Sequence, residues 1–179
     1  GGTPMSRSRV MVLGASLAGA KRLSKAMGEM VWKTTDGDPL FISLLFGDLA
    51  RDGRLKISRG EASLTGKDVP ATLIQLINGH ASRLDESQRE TLTCAAALGD
   101  GFRMGALTVL RGRVMPAVLE TELQTLIEDD WIARSGKGRQ TSYSFTHRIK
   151  RKVIYKNTPD DRRQALHKNA GDYYAVVTA

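Results

Sequence analysis

Two glycines near the start of the chain have the separation found in a phosphate-binding loop. Such a loop follows the pattern G-x-x-x-x-G-K-[ST], in which a lysine directly follows the second glycine and a hydroxyl residue binds magnesium. Gly14 and Gly19 fit, but Ala20 stands before Lys21, and Arg22 occupies the hydroxyl position. This shift turns the lysine by about 100° around a following helix, away from the phosphates. We therefore interpret the stretch as a flexible leader that runs into a helix.

The other residues able to do chemistry are too scattered to form a catalytic or metal-binding set. Cys94 is the single cysteine and lies in the apolar run Thr-Cys-Ala-Ala-Ala-Leu, so we expect a buried thiol in a reducing, cytoplasmic setting. His80, His147 and His167 lack the spacing of zinc ligands, and no Ser/His/Asp set is legible. The chain is predicted to have no catalytic residues, no metal and no cofactor of its own.

Composition narrows the class of protein further. The chain has 179 residues, of which 41% are hydrophobic, enough for a buried core in one domain or two small ones. No apolar run approaches the roughly 20 residues that span a bilayer, so no membrane partner is expected. The formal net charge is +8, and the segment 147–168 holds most of it, with eight lysines and arginines against two aspartates.

Hydrophobic periodicity predicts mostly helices in the first half of the chain. The predicted helices lie at about 21–33, 39–51, 70–84 and 85–98. Asp38 is a good N-cap with Pro39 at the first helical position, and Asp85 with Gln88 has the spacing of a capping box. Alternating polar and apolar residues at 54–64 predict a short β-hairpin.

The second half of the chain changes its period. Its predicted elements are a short apolar segment at 102–110, a helix at 114–129, strands at 131–134 and 141–145, and helices at 147–156 and 159–177. Helix, short helix, helix, strand, glycine-rich turn and strand is the order of a winged helix. The loop at 136–140 would be its wing.

Five short motifs occur in a fixed order along the chain. They are GDPLFI from Gly37, PATL from Pro70, LTCAAALG from Leu92, FTH from Phe145 and RRQALH from Arg162. In order and spacing they resemble the C-terminal arm of STAND-type ATPases, the AAA-like signalling ATPases attached to class III adenylate or guanylate cyclases and to large LuxR-type regulators. The family usually has Asn where this chain has Asp38.

The resemblance implies a site that faces a nucleotide in a larger parent protein. The family's P-loop and Walker B segments would precede Lys21, so ATP or ADP is implied for the parent alone. His147 is implied to contact the phosphate of ADP, with Gly37, Asp38 and Pro39 as a nucleotide-facing turn. The residues themselves leave simpler alternatives open, namely a helix cap at 37–39 and a backbone-bonded histidine at a helix start.

The predicted fold class is mainly α, with a short β-hairpin in a lid-like helical segment, then a winged-helix domain and trailing helices. The predicted boundaries are 1–20 for a leader or linker that is in part not native sequence, 21–69 for the lid-like helices and hairpin, 70–146 for the winged helix, and 147–179 for a basic helical extension.

The charge of the third helix in the predicted winged helix indicates which kind of partner the protein can bind. No lysine or arginine occurs from Val114 to Ala133, whereas Glu120, Glu122, Glu128 and Asp129 do. Because the third helix of a winged helix enters the major groove, this charge opposes DNA binding. The candidate partner-binding residues are Arg148, Lys150, Arg151, Lys152, Arg162 and Arg163. These residues could form a solvated helix face, or they could bind an acidic protein surface or nucleic acid.

We therefore expect a non-catalytic regulatory part of a multidomain signalling ATPase. It would couple the nucleotide state to a cyclase or transcription-regulator effector domain through intramolecular and protein–protein contacts. Its expected partners are the nucleotide-binding domain of the same parent chain and an effector domain or acidic protein surface. The alternative is a DNA-binding winged-helix transcriptional regulator, although specific DNA binding is not expected.

Overall fold

The computed structural model describes residues 4–66, 69–70 and 72–178. Within these residues the fold is mainly α with two small three-stranded sheets, which agrees with the predicted mainly α class. The chain divides into two compact units, Gly1–His80 and Ala81–Ala179. This division differs from the predicted boundary at position 70, because the helix that follows Pro70 groups with the elements before it.

The first unit consists of helices and one three-stranded sheet. Its elements are α1 (Arg7–Ala18), β1 (Arg22–Leu23), α2 (Lys25–Thr35), α3 (Pro39–Arg51), β2 (Leu55–Ser58), β3 (Glu61–Leu64) and α4 (Leu73–Ala81). The predicted helix at 39–51 and the predicted hairpin are confirmed. The helix expected at 21–33 starts later, since Ser24 caps it by accepting from the Met27 amide at 3.1 Å. The two residues before Ser24 instead pair in parallel with β3.

The helix α1 stands where a flexible leader was expected. The hydroxyl of Ser6 caps its start, and Gly19 ends it with a φ of 71°. Val10 and Ala15 are buried, and α1 packs against β1, α2 and α3. The sequence did not predict it because its buried positions other than Val10 are small, while the larger Val12 and Leu17 are exposed, so hydrophobicity shows little helical periodicity.

The second unit combines a helical core with an antiparallel sheet. Its elements are α5 (Glu86–Leu98), β4 (Gly101–Phe102), α6 (Met104–Arg111), α7 (Pro116–Glu128), β5 (Ile132–Ser135), β6 (Ser142–Phe145), α8 (Arg148–Lys156) and α9 (Asp160–Val177). The capping box of Asp85 and Gln88 is confirmed at the start of α5. The sheet order is β4–β6–β5, and Phe145, opposite Ile132, is buried.

The trailing helices belong to the core of the second unit. α8 packs against α5, and α9 packs against both α5 and α6. Val153, Ile154 and Leu166 are buried in these contacts. The segment 147–179 is therefore not a separate extension, in contrast to the predicted boundary at 146.

Cys94 lies in α5 and is buried, as predicted. Burial, with a further contribution from Glu90, raises the pKa of its thiol to about 12.

Since the thiolate is the nucleophile, we expect the native protein not to react measurably with a thiol reagent at pH 8, and to react fully in denaturant. The unfolded thiol ionises near 9.0, so this group should lower stability as the pH rises from 9.0 to about 12. Rapid reaction of the native protein, followed by absorbance, would contradict the burial.

Candidate functional site

The stretch from Gly14 to Lys21 does not form a phosphate-binding loop. Its residues up to Ala18 are part of the helix α1, which ends at Gly19. A Cβ at Gly14 would lie 2.6 Å from Leu23 Cδ1 and 3.1 Å from the ring of Phe46. The glycine therefore allows α1 to approach β1 and α3 closely, which is a packing function.

Gly37, Asp38 and Pro39 form the turn that starts α3. The carboxylate of Asp38 accepts a hydrogen bond from the Leu40 amide at 2.9 Å, and Pro39 opens the helix. Gly37 is buried with a φ of 79°, and its carbonyl accepts from the Met5 amide at 2.9 Å. The turn thus acts as the helix cap that the residues alone indicate, and its contact with nucleotide stays a prediction.

His147 lies in the other unit, between β6 and α8. Its backbone is extended, with φ −142° and ψ 140°, and its side chain does not cap the helix. Its carbonyl accepts from the Lys150 amide at 3.1 Å, which begins the first turn of α8. The residue is half-buried. Its contact with a phosphate stays a prediction.

Lys150 is buried, which corrects its assignment to the partner-binding set. Lys150 is 1% exposed. Its Nζ donates to the carbonyl of Asp130 and lies 3.4 Å from Oδ2 of Asp130. The ammonium group also lies 5.7 Å from the centre of the Trp131 ring. The side chain therefore connects α8 to the turn between α7 and β5 and is not accessible to a partner.

Two arginines of the predicted partner-binding set lie over the ring of Tyr155. The guanidinium carbons of Arg151 and Arg163 are 5.5 and 5.0 Å from the ring centre. The hydroxyl of Tyr155 lies 2.8 Å from Nε2 of His167, and Arg151 Nε donates to the carbonyl of Ala96 at 2.9 Å. These cations connect α8, α9 and α5 to one another, so they contribute first to the fold.

The remaining residues of the set are more exposed. Arg162 forms an ion pair with Glu90 of α5. Arg148 lies 3.7 Å from Asp100 but keeps 85% of its side chain exposed. Apart from Arg162, the exposed cations of α8 and α9 are Arg148, Lys152, Lys156 and Lys168. They are the part of the basic segment that a partner can reach.

The exposed side chains of α7 are either acidic or uncharged. Leu119, Leu123 and Leu126 face the core. The exposed residues of this helix are Pro116, Ala117, Val118, Glu120, Thr121, Gln124, Thr125 and Glu128. A groove of about 460 Å³ lies between α7 and the start of α5. The helix therefore offers carboxylates and a small apolar area, as its sequence predicts.

A nearly buried charge cluster joins α5, α6 and α7, and sequence reasoning did not identify it. Arg111 Nε donates to the hydroxyl of Thr91 at 2.8 Å, and that hydroxyl donates to the carboxylate of Glu122. Ser87 donates to the other carboxylate oxygen at 2.5 Å. The side chains of Arg111 and Glu122 are 11% and 12% exposed. The available signal was the helical spacing of Glu122 from the inward-facing Leu119.

In the described part of the chain, no group of three or more His, Cys, Asp or Glu side chains could hold a metal ion. None of the helices in that part is both long and apolar enough to cross a membrane. The candidate binding surfaces of the second unit are the acidic surface of α7, the exposed cations of α8 and α9, and a cleft beside the β5–β6 hairpin.

No protein-family model matches the chain, and no curated protein is significantly similar to it. The resemblance to STAND-type ATPases is therefore a hypothesis that rests on the five motifs themselves.

Proposed function

We propose that the chain is a non-catalytic regulatory part of a multidomain STAND-type signalling ATPase. Four of the five motifs support this proposal through the elements that carry them, and the fifth, PATL, includes position 71, which lies outside the described residues. GDPLFI starts α3, LTCAAALG ends α5, FTH leads from β6 into α8, and RRQALH lies in α9. Each of these motifs contributes a buried residue, namely Phe41, Cys94, Phe145 and Leu166. These motifs therefore have a structural role, since they specify helix caps and core positions.

We infer that the second unit is of the winged-helix type. After α5 the chain runs through strand, helix, helix, strand and strand, and β4 pairs with the last strand, β6. This order supports an assignment of α7 as the third helix and of the loop at 136–140 as the wing.

The surface of α7 is the observation that carries a protein-binding function. The third helix of a DNA-binding winged helix enters the major groove, where neutralisation of phosphates supplies much of the affinity. The exposed charged residues of α7 are Glu120 and Glu128, while Val118 and the neighbouring Met115 are 54% and 68% exposed. Apolar groups beside carboxylates favour a protein partner that carries cations.

The proposed action is conformational and takes place in the cytoplasm. The two units would close over the nucleotide-binding domain of the parent in one nucleotide state and release it in the other, which passes the change to a cyclase or transcription-regulator effector domain. His147 would meet the nucleotide phosphate, because a phosphate is stabilised near the start of a helix. Arg148 and Lys152 would contact an acidic effector surface.

A titration with duplex DNA separates this proposal from its alternative, a DNA-binding regulator. We expect weak, sequence-independent binding through the exposed cations of α8 and α9. If these contact about four phosphates, the logarithm of the affinity should fall with a slope of about −3.6 against the logarithm of salt concentration. Fluorescence anisotropy with two unrelated labelled duplexes measures the affinity and the slope.

Two matched variants locate the contact. Lys152→Gln should reduce the slope by about 0.9, the amount expected for one phosphate. Gln124→Ala, on the exposed surface of α7, should change neither the affinity nor the slope. A complex that prefers one duplex at high salt and is lost in Gln124→Ala would establish the DNA-binding alternative.

A further inference from the structure

A cleft of about 530 Å³ in the second unit has no part in the proposed function. Its walls are the β5–β6 hairpin, the first turn of α6, one residue of α7, and Tyr173 of α9. The charged residues that line it are Arg103, Arg134, Arg139 and Glu120. Three cations against one carboxylate leave the cleft with a positive charge that favours an anion.

The three arginines are not used for internal ion pairs. Within the described residues none of them pairs with a carboxylate, unlike Arg111 and Arg162, which pair with glutamates. All three are exposed. Like charges around one cleft repel each other, and an anion between them removes that cost. Guanidinium groups bind phosphate through two parallel hydrogen bonds, so the cleft suits phosphate groups.

Arg134 is held in position by the sheet. Phe102, Tyr143 and Arg134 lie opposite one another on β4, β6 and β5. The two rings stack with centres 5.7 Å apart at 18°, and the guanidinium carbon of Arg134 is 5.5 Å from the centre of the Tyr143 ring. A cation–π contact uses no hydrogen bond, so it leaves the N–H groups of Arg134 for a ligand.

A second groove, of about 520 Å³, adjoins the cleft through Arg103 and Tyr173, which line both. Tyr174 also lines this groove, is 42% exposed, and packs edge-on against Tyr173 with ring centres 5.4 Å apart. Proteins bind single-stranded nucleic acid with such a combination, in which cations follow the phosphates and bases stack on aromatic rings.

We propose that the two adjoining grooves bind a short single strand of nucleic acid. Phosphates lie at Arg103, Arg134 and Arg139, and a base stacks on the exposed ring of Tyr174. A duplex does not fit this arrangement, because its bases are stacked inside the helix and cannot reach the tyrosine. An acidic peptide would satisfy the arginines but gives no reason for an exposed aromatic ring beside them.

The test is fluorescence anisotropy of the full chain with a labelled twelve-residue oligothymidine. Neutralisation of three phosphates should give a slope of about −2 against the logarithm of salt concentration, at about −0.7 per phosphate of a single strand. Arg134→Gln combined with Arg139→Gln should weaken binding by about tenfold, and Tyr174→Ala by about fivefold or more. The matched control, Lys152→Gln combined with Lys156→Gln, removes the same charge from α8 and should change the affinity by less than about twofold.

Three outcomes would overturn the proposal. The oligothymidine could fail to bind at low salt, or the α8 control could weaken binding as much as the cleft variants do. A polyglutamate peptide of the same length could also compete on equal terms, which would assign the cleft to an acidic protein segment. Circular dichroism melts verify folding, and Arg139→Gln alone, in the exposed turn of the hairpin, keeps the test decisive if Arg134→Gln lowers stability.

Discussion

Replacement of Lys150 by alanine should lower the free energy of unfolding of the second unit by about 3 kcal/mol. The lysine is buried over its whole length, with its ammonium group on the carbonyl of Asp130 and above the ring of Trp131. Alanine removes this donor and leaves a cavity where the aliphatic chain was. Lys150→Met keeps most of the volume and should cost less, which separates the packing contribution from the hydrogen bond.

The matched control is Lys152→Ala, two positions further along α8, where the side chain is exposed. Its effect should be within about 0.5 kcal/mol. Urea unfolding followed by the fluorescence of Trp131 reports on the second unit if Trp32, the other of the two tryptophans, is replaced by phenylalanine. Equal losses from the two alanine variants would show that Lys150 is not buried.

Glu122→Ala should have an effect of similar size or larger, about 3–5 kcal/mol. Its carboxylate accepts from Thr91 and Ser87 and lies 3.9 Å from Arg111, whose side chain is 11% exposed. Removal of the carboxylate leaves the arginine charge nearly buried without its counterion. The loss of stability therefore comes mainly from the unpaired charge of Arg111. The same urea experiment measures this loss.

Two further variants distinguish this explanation from a general weakening of α7. Glu120→Ala changes an exposed glutamate of the same helix and should cost less than about 0.5 kcal/mol. Arg111→Met combined with Glu122→Leu removes both charges and should recover most of the stability, because no buried charge is left unpaired. If the double variant is as unstable as Glu122→Ala, the charge cluster is not the cause.

The features predicted correctly from the sequence are those that depend on a few neighbouring residues. Asp38 caps α3 and Asp85 caps α5 because each side chain bonds an amide two or three positions later. The two hairpins follow from alternating residues around glycine-containing turns. Glycine is required in the turn at 136, where φ is 78° and a Cβ would lie 2.3 Å from a carbonyl oxygen.

The features that were missed depend on contacts far apart in the chain. Lys150 stands in a run of cations, and its acceptor lies 20 positions earlier, so the sequence indicated an accessible side chain. The edge strand β4 consists of two residues, Gly101 and Phe102, and is defined by β6 rather than by any local pattern. The arginine cleft combines residues from Arg103 to Tyr173, and no local spacing predicts that they meet.

The docking of α8 and α9 on α5 determines which segment can be transplanted between proteins. Evolution and protein engineering both exchange pieces of chain, and a piece survives such an exchange when it carries its own core. A segment cut after position 146 would lack Val153, Ile154 and Leu166, and would expose the apolar surface of α5 that they cover. The transferable segment is therefore 81–178, in which the basic helices, the hairpin and the acidic helix belong to a single block.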